Sequence, residues 1–495
     1  MPEAILPKNH VQESLNAMYN NYGLFIDGEW CKGSSEAIIS VLNPATTDVL
    51  GEVQAASVED TQAAIRAAEA GFRVWRETAA WSRADLLHAV ADQMVLATED
   101  AARCISLETG KPLVQAQREW ALSIDQFRWY AEEARRLYGR IVESRAPGGR
   151  IEVHHEPVGV VGAFTAWNFP AVLIARKVAP ALAAGCSVIV RPSSEVPGTA
   201  MVLFECLRKA GIPKGVVNLV IGPTQNTYNP VLASPVVRKI SLTGSTAIGQ
   251  QMIRDSADTV KRVSMELGGN APVLVFEDAD LEQTLDLCVP TKYANAGQVC
   301  VTADRFYVHE SLYERFVEGF ARRALALKLG SGLEQSTQMG PLINQRRLDA
   351  IEAVVADAVE RGARLVTGGK RPEHLGAGYF FEPTVLADVP DDAQAMAEEN
   401  FGPIAAITSF SSTEEAYARA NALPVGLSAY AFTRDAARIR EVVARLEAGM
   451  VGVNSFALAA AEAPFGGIKD SGMGREGGSE GIHDYTNVKL AQITV

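Results

Sequence analysis

Short β-branched runs alternate with helical segments from Val158 onward, and this alternation constrains the fold more than any other feature of the sequence. The runs are "VGVVGAF", "CSVIV", "VVNLVIG" and "KISLTG", and segments such as "AVLIARKVAPALAAG" and "TAIGQQMIRDSADTV" separate them. This pattern is typical of parallel βαβ units whose sheet is covered by helices on both faces. A second series begins near Ala271. We therefore predict an α/β fold with two regions of similar construction, within a chain long enough for about two to four domains.

Helical periodicity precedes the alternation, from about residue 57 to residue 108. Ser57 is predicted to cap a first helix, because a serine hydroxyl accepts a hydrogen bond from the free N–H groups of the first turn. A second helix is predicted from about Ser82, and Gly110 and Pro112 should end it.

Two further segments fall outside the alternation. Residues alternate on both sides of "APGG" between Tyr138 and Glu156, which predicts a protruding hairpin. The C-terminal "VKLAQITV" is predicted to be one more strand, with no obvious partner nearby. Stray strands of this kind favour extension of a sheet across a subunit boundary, and therefore a homo-oligomer.

Charge and composition bound the possible partners. The formal net charge of -13 should repel phosphate backbones and anionic lipid, so neither nucleic acid nor a membrane surface is an expected partner. We see no signal peptide and no run of about 18 apolar residues, which predicts a soluble, cytoplasmic protein. The six cysteines lack C-x-x-C spacing and no H-E-x-x-H occurs, so no metal site is visible.

Cys300, in "YANAGQVCVTADR", is the first candidate for chemistry. A free cysteine taken alone is more often inert core packing than a nucleophile. However, Asn295, Gly297 and Gln298 are typical of a loop, which would place the thiol where a substrate can reach it. A nucleophilic thiol also needs a base and a site that stabilises an oxyanion.

"VSMELGG" offers the base. Glu266 is a lone acid among apolar residues at what is predicted to be a strand end, and burial would raise its pKa toward that of a general base. The alternative is a structural glutamate paired with Lys261 or Arg262.

"TAWNFP" offers the oxyanion donor. Asn168 follows a buried type of strand and precedes Pro170, which can open a helix, so its amide could donate to a developing negative oxygen. The alternative is an ordinary asparagine helix cap.

Two glycine-containing motifs remain. "SLTGSTAIG" joins a strand to a helix, where free N–H groups suit a pyrophosphate, although such turns are common. "GGSEG" fits the G-x-S-x-G pattern around Ser479, with His483 close by. A glycine-rich loop precedes it instead of a buried strand, which argues against a serine hydrolase.

Eight stretches, in order and over nearly the whole chain, resemble the aldehyde dehydrogenase superfamily: "FIDGEW", "LETGKP", "WNFP", "GSTAIG", "MELGG", "NAGQVC", "EENFGP" and "PFGGIKDSGMGRE". The resemblance implies a Rossmann-type cofactor domain, an α/β catalytic domain and a small β oligomerisation domain, assembled into a homodimer or homotetramer. The corresponding ranges are 1–130 with 150–265, then 266–460, and finally 131–149 with 476–495.

The resemblance also implies a mechanism of aldehyde oxidation. Cys300 would attack the aldehyde, Asn168 and the Cys300 N–H would hold the oxyanion, and hydride would pass to NAD or NADP, leaving a thioester. Glu266 would then activate water to release the acid. The remaining carried-over positions are Lys177 and Glu476 around the site, and Trp167, Arg191, Ser194, Gly244, Ser245, Gly249, Leu267, Glu399 and Phe401 at the cofactor.

Two positions depart from the family pattern near the cofactor. Arg191 stands where many relatives have lysine, and Ser194 stands where NAD-selective members often have glutamate. Serine beside arginine can accept a 2′-phosphate that a carboxylate would repel. We therefore expect NADP to be used at least as well as NAD.

Other departures concern the substrate. The closest subgroup resembles succinate-semialdehyde dehydrogenases, which hold the distal carboxylate with two arginines and a serine. Arg176 matches one arginine, but Ala294 stands at the second and Ala459 or Ala460 at the serine. A semialdehyde and an aromatic or apolar aldehyde both remain open as substrates. The alternatives to this activity are a coenzyme A-acylating enzyme and a non-catalytic nucleotide-binding relative.

Overall fold

The computed structural model describes Tyr19 and residues 21–494, and its first sheet contains eight strands. Five of these strands are parallel and form the centre of the sheet, while the others pair antiparallel at its edges. In spatial order the strands are Glu29–Cys31, Leu24–Ile26, Val217–Leu219, Ser187–Arg191, Val160–Phe164, Val237–Thr243, Arg262–Glu266 and Gly472–Met473.

The order in which the chain adds parallel strands reverses next to Val160–Phe164. The next two strands, Ser187–Arg191 and Val217–Leu219, lie on one side of it, whereas Val237–Thr243 and Arg262–Glu266 lie on the other side. Ligands bind in the crevice at the carboxyl ends of such neighbouring strands. The intervening helices are Pro170–Ala184, Pro197–Lys209, Thr224–Ala233 and Thr246–Ser256.

The helices before the first sheet follow the predicted caps, with one interruption. Ser57 forms a capping box with Asp60 at the start of Val58–Trp75, as predicted. Where one helix was expected from about Ser82 to Gly110, the structure has two, Ala80–Leu96 and Thr98–Thr109. The Thr98 hydroxyl donates to the Val95 carbonyl at 2.8 Å and so competes with the backbone hydrogen bonds of a continuous helix. Gly110 ends the second with φ 79°, and Leu113–Ala134 follows directly.

A second sheet of seven strands follows, also mainly parallel, and its core is separate from that of the first. Its strands in spatial order are Arg364–Thr367, Thr384–Ala387, Ile404–Phe410, Ala303–His309, Ala271–Val275, Ser428–Phe432 and Met450–Val453. Its helices are Leu281–Tyr293, Tyr313–Leu325, Gln345–Glu360, Gln394–Ala397, Thr413–Asn421 and Ala436–Arg445. The predicted α/β fold with two similar regions is confirmed.

A third, antiparallel sheet contains the two stray segments. Arg140–Glu143 and Gly149–Pro157 form the predicted hairpin. The C-terminal strand Thr486–Thr494 does have a partner within the chain, since it pairs with Gly149–Pro157 along its whole length. The expectation of no nearby partner was wrong because the two strands lie more than 300 residues apart in sequence. Gly149–Pro157 thus belongs to this sheet, although the expected boundary at residue 150 grouped most of it with the cofactor region.

Two small antiparallel pairs complete the described strands. They are Ile38–Leu42 with Val49–Gln54, and Val425–Gly426 with Ile468–Lys469. A short helix, Glu480–His483, precedes the C-terminal strand.

Candidate active site

Cys300 lies on a strained turn between a helix and a strand. The helix Leu281–Tyr293 runs into a short turn in which Asn295 and Ala296 have φ of 48° and 55°. Gly297 also has positive φ, and a Cβ there would collide with the carbonyl oxygen of Gly402. The chain therefore leaves helical geometry before Cys300, and residue 300 as a whole is partly exposed, whereas Cys104, Cys186, Cys206 and Cys288 are buried. We call residues 294–302 the Cys300 loop.

Asn168 packs against the Cys300 loop and does not cap a helix. The cap residue of Pro170–Ala184 is Phe169, and no side chain bonds the free N–H groups from that position. Instead, Asn168 Nδ2 donates to the carbonyl oxygen of Gln298 at 3.1 Å. The helix-cap alternative is therefore wrong, and the amide lies next to the turn that carries the thiol.

Glu266 ends the strand Arg262–Glu266 and is 4% exposed. The alternative ion pairs are not formed, because Lys261 donates to the carbonyl oxygens of Ser234 and Val237, and Arg262 donates to that of Thr486. Among the described residues Glu266 Oε1 has no hydrogen-bond partner. A buried carboxyl without a cationic contact is the state expected of a general base.

The pKa values of this pair depend on burial and on each other. Burial, and then the charge of Glu476, raise the pKa of Glu266 to about 7. Burial, and then the charge of Glu266, raise the pKa of the Cys300 thiol well above its usual value. A carboxyl with a pKa near neutrality can accept a proton from a thiol or from water and release it again.

Lys177 and Glu476 form a buried ion pair beside Glu266. Lys177 also donates to Thr243 Oγ1 at 2.8 Å, at the end of a central strand of the first sheet. The backbone of Glu476 exchanges two hydrogen bonds with Phe465, of 2.6 and 2.8 Å. The pair therefore fastens the last motif of the chain to the first sheet.

The segment around Gly244 has the geometry of an anion site. Gly244 N donates to the carbonyl oxygen of Glu266 at 3.0 Å, and Ser245 precedes the helix Thr246–Ser256 with no side-chain cap. A Cβ at Gly249 would collide with the Leu267 side chain, so the glycine lets the helix and Leu267 pack closely. The free N–H groups of the first turn thus remain available to a phosphate.

Comparison with known proteins agrees with this geometry. The model of the aldehyde dehydrogenase family matches residues 30–491. The chain is 44% identical over 465 residues to the 3-sulfolactaldehyde dehydrogenase of Pseudomonas putida, covering 94% of this chain and 95% of that protein. It is 43% identical over 464 residues to an NADP+-dependent succinate-semialdehyde dehydrogenase of Escherichia coli, covering 94% and 96%.

A solved structure gives the same result. Succinate-semialdehyde dehydrogenase from Burkholderia pseudomallei superposes with a TM-score of 0.94 at 43% identity, covering 96% of this chain and 98% of that one. The chain belongs to the aldehyde dehydrogenase family. It falls in the subgroup similar to succinate-semialdehyde dehydrogenases. The protein is therefore an enzyme that oxidises aldehydes with NAD or NADP.

The residues of this aldehyde dehydrogenase fit a nicotinamide cofactor beyond the Gly244 turn. Glu399 accepts a hydrogen bond from Gly269 N at 3.2 Å, and burial raises its pKa to about 8. Phe401 has φ 49° and its ring meets that of Trp167 edge-on at 5.4 Å. Glu399 would therefore offer a polar contact to the cofactor, and Trp167 and Phe401 would offer aromatic contacts.

Arg191 and Ser194 lie at the end of the strand Ser187–Arg191. Arg191 donates to the Gly222 carbonyl at 3.2 Å, and its Nε has no partner among the described residues. The neighbouring carboxylate, Glu195, was missed in the sequence; it is bonded by Ser193 Oγ and lies 3.5 Å from Asn344 Nδ2. The direction in which the Glu195 side chain points could not be predicted from the sequence, because it depends on the contact with Asn344, which is distant in the chain.

Arg176 is the next residue to Lys177 but differs from it in having no polar partner. It is 5% exposed, and its guanidinium carbon lies 4.0 Å from the centroid of the Phe465 ring. Within the described part of the chain it forms no hydrogen bond and no ion pair, and its Nε is buried. A desolvated cation in this state has its hydrogen-bonding capacity free for a ligand.

The three alanines at the expected substrate positions add no polar group. Ala294 opens the turn of the Cys300 loop and is partly exposed. The carbonyl oxygen of Ala460 lies close to Gly477, the residue after Glu476. Ala459 is exposed. The side chains at these positions are small and apolar.

The serine-hydrolase pattern is not a site. Gly477 and Gly478 have φ of 72° and 60°, Ser479 is exposed, and only the two-residue strand Gly472–Met473 precedes them. The His483 ring lies against His155, with 5.2 Å between centroids. The strand-to-helix elbow that would expose a nucleophilic serine does not form.

Two absences complete the description of residues 19 and 21–494. No helix in this range is long and apolar enough to cross a membrane. No three histidine, cysteine or acidic side chains in it are grouped so that they could hold a metal ion.

Proposed function

We propose that this enzyme oxidises aldehydes that carry an anionic group at the far end, and that Arg176 binds that group. The observation that supports the proposal is the buried guanidinium without a polar partner. Burying an unpaired charge is costly, so a ligand anion is the natural partner. The two relatives named above act on 3-sulfolactaldehyde and succinate semialdehyde, which are both aldehydes with an acidic group.

The geometry described above supports the following roles for the catalytic residues. Glu266 takes the proton of the Cys300 thiol and releases it to solvent, the Cys300 sulfur attacks the aldehyde carbon, and Asn168 and the Cys300 N–H donate to the oxyanion. A nicotinamide cofactor, held by the Gly244 turn with Glu399 and Phe401, would supply the hydride acceptor that lets a thioester form on Cys300. Glu266 then takes a proton from water as the water attacks the thioester. Lys177 and Glu476 hold the last motif in place and tune Glu266 through their charges.

Hydrolysis is favoured over transfer to coenzyme A because Glu266 is buried, has one carboxylate oxygen without a hydrogen-bond partner among the described residues, and has a raised pKa. Product analysis separates the two: free acid in the absence of coenzyme A supports the proposal, whereas product formation that requires coenzyme A contradicts it.

We also propose that NADP is used at least as well as NAD. Arg191 Nε is free, Ser194 provides no carboxylate, and Glu195 is bonded by Ser193. A 2′-phosphate would thus meet the Arg191 cation and no carboxylate at position 194, although the Glu195 carboxylate also interacts electrostatically with Arg191. A kcat/KM for NADP far below that for NAD would contradict this preference.

Assembly through the third sheet is a further part of the proposal. Its outer strands expose apolar side chains, namely Ile141, Val142, Val488 and Leu490. Such edges pair with a second copy in a homodimer or homotetramer. We retain the cofactor, catalytic and oligomerisation ranges as a proposal, with Gly149–Pro157 moved to the last. Light scattering that gave a monomer mass would contradict the assembly.

We also propose that the enzyme is cytoplasmic, and the net charge of -13 supports the proposal that it binds neither nucleic acid nor membrane. Fractionation of cells, with the enzyme followed by its activity, tests the location.

A second candidate substrate class is an aromatic or apolar aldehyde, which the apolar side chains of Ala294, Ala459 and Ala460 favour. Initial rates with succinate semialdehyde and with benzaldehyde, each with NAD and NADP, separate the two classes. A preference for benzaldehyde would show that the pocket serves apolar substrates.

A further inference from the structure

The backbone oxygen of Asn168 accepts two hydrogen bonds from distant side chains. Lys111 Nζ donates to it at 2.7 Å, and Asn295 Nδ2 donates at 3.0 Å. The Asn168 side chain in turn donates to Gln298 O, within the Cys300 loop. Asn168 is therefore fixed at both its backbone and its amide, and Lys111 is the one charged group among these contacts.

Lys111 is itself fixed by Glu119. Both side chains are fully buried, and Nζ lies 2.6 Å from Glu119 Oε2. The other carboxylate oxygen, Oε1, accepts hydrogen bonds from Ala171 N at 2.8 Å and Val172 N at 3.4 Å. These are N–H groups of the first turn of the helix after Asn168, where a negative charge is favoured.

The pair thus contacts the segment 168–172 at both ends. The lysine binds the carbonyl just before the helix, the glutamate binds the first N–H groups inside it, and the Phe169 ring centroid lies 4.0 Å from Nζ. The backbone of Lys111 is also held, because Ser106 Oγ donates to its carbonyl at 2.7 Å.

Stability alone does not account for this arrangement. A buried ion pair is often no more stabilising than apolar side chains of the same volume. What apolar side chains would not supply is a directional contact with the Asn168 carbonyl. Errors of about 1 Å in the placement of a reacting or stabilising group can cost about 10²-fold in rate.

We propose that Lys111, held by Glu119, is a positioning residue that sets the Asn168 amide for the oxyanion. The inference rests on the proposed role of Asn168. It assigns to the "LETGKP" motif a task that its sequence does not reveal.

A double-mutant cycle tests the inference. The rate of the first turnover, followed as the burst of reduced cofactor, is measured for Lys111→Met, Asn168→Ala and the double variant. Asn168→Ala should lower this rate by about 10²- to 10³-fold, the usual loss for one oxyanion donor. Lys111→Met should lower it by about 10²-fold in the wild-type background. Lys111→Met should have almost no further effect on the first-turnover rate when residue 168 is already alanine.

Lys292→Met is the matched control. Lys292 and Asp304 are also a fully buried pair at 2.6 Å, but neither bonds Asn168. A variant that acts only by loosening the fold should reduce the rate by the same factor with and without Asn168. We expect this independent behaviour for Lys292→Met and not for Lys111→Met.

Glu119→Gln keeps the shape of the buried pair and serves if Lys111→Met does not fold. It should show the same dependence on Asn168, with a smaller loss. Thermal unfolding and cofactor binding by tryptophan fluorescence establish that each variant is folded.

The outcomes separate this inference from the proposed function. If Lys111→Met lowers the rate equally in both backgrounds, the positioning role is wrong and the proposed reaction stands. If Asn168→Ala keeps the wild-type rate, the oxyanion role of Asn168 fails, and the role of Lys111 fails with it.

Discussion

Arg176 and Lys177 are adjacent on one helix, both are buried, and only one of them is paired. Lys177 binds Glu476 and Thr243, whereas Arg176 lies over the face of the Phe465 ring and has no hydrogen bond or ion pair among the described residues. Consecutive residues on a helix point in different directions, so one lysine can belong to the scaffold while its neighbour faces the ligand. The difference supports the proposal that Lys177 holds the structure, whereas Arg176 binds the anionic group of a substrate.

The largest expected effect is that of losing the Cys300 thiol, because the proposed reaction of the Arg176-bound substrate depends on it. Cys300→Ala should lower aldehyde oxidation by at least about 10⁴-fold, because no other group can form the thioester. Cofactor binding, measured by fluorescence titration, should be retained. Substantial oxidation by this variant would place the reaction elsewhere and remove the basis of the comparison.

Removing the paired cation should destabilise the fold. Lys177→Met leaves the Glu476 carboxylate buried without its partner, which should lower the free energy of unfolding by about 3–5 kcal/mol. Denaturant unfolding followed by tryptophan fluorescence measures the change. An unaltered unfolding midpoint would mean that the pair contributes no structural role.

The rate of thioester hydrolysis should depend on pH through the pKa of Glu266, which the charges of Arg176 and Lys177 affect. Its carboxyl acts as a base only when ionised, and its raised pKa of about 7 means that activity appears as pH rises through neutrality. Below about pH 6 the rate should fall by about tenfold per pH unit. Single-turnover hydrolysis rates between pH 5 and pH 9 measure the midpoint.

Arg176 and Lys177 both lower the pKa of Glu266, so replacing either should move that midpoint to higher pH. Glu266→Gln should lose the dependence on pH in this range. A midpoint near the usual glutamate pKa would contradict a buried base.

Removing the unpaired cation should have the smallest effect on stability. Arg176→Met takes away a buried charge that has no partner, so the free energy of unfolding should stay the same or rise by about 1 kcal/mol. The same unfolding measurement as for Lys177→Met applies. A loss as large as that of Lys177→Met would show that Arg176 also holds the structure.

Local signals in the sequence predicted the elements that depend on neighbouring residues. Ser57 and Gly110 mark helix ends by their own chemistry, and Gly297 indicates a turn because it tolerates left-handed geometry. The β-branched runs predict strands wherever both faces are buried. The family resemblance then indicated Cys300, Glu266 and Asn168 together.

Features that depend on distant residues could not be predicted. The partner of Thr486–Thr494 is Gly149–Pro157, more than 300 residues earlier in the chain, and the direction of the Glu195 side chain depends on Ser193 and Asn344. Whether Glu266 is paired was decided by Lys261 and Arg262, which bind backbone carbonyls instead. The absence of a partner for Arg176 is a property of the whole surrounding structure.

The specificity of wild-type enzyme and Arg176→Met for two aldehydes of equal chain length tests the central claim most directly. Succinate semialdehyde carries a distal carboxylate and butanal does not. One charged hydrogen-bonded contact contributes about 1.5–3 kcal/mol, so kcat/KM for succinate semialdehyde should fall by about 10- to 150-fold in the variant. The value for butanal should change by less than about 3-fold. An equal fall for both aldehydes, or no fall for either, would contradict the assignment of Arg176 to a substrate anion.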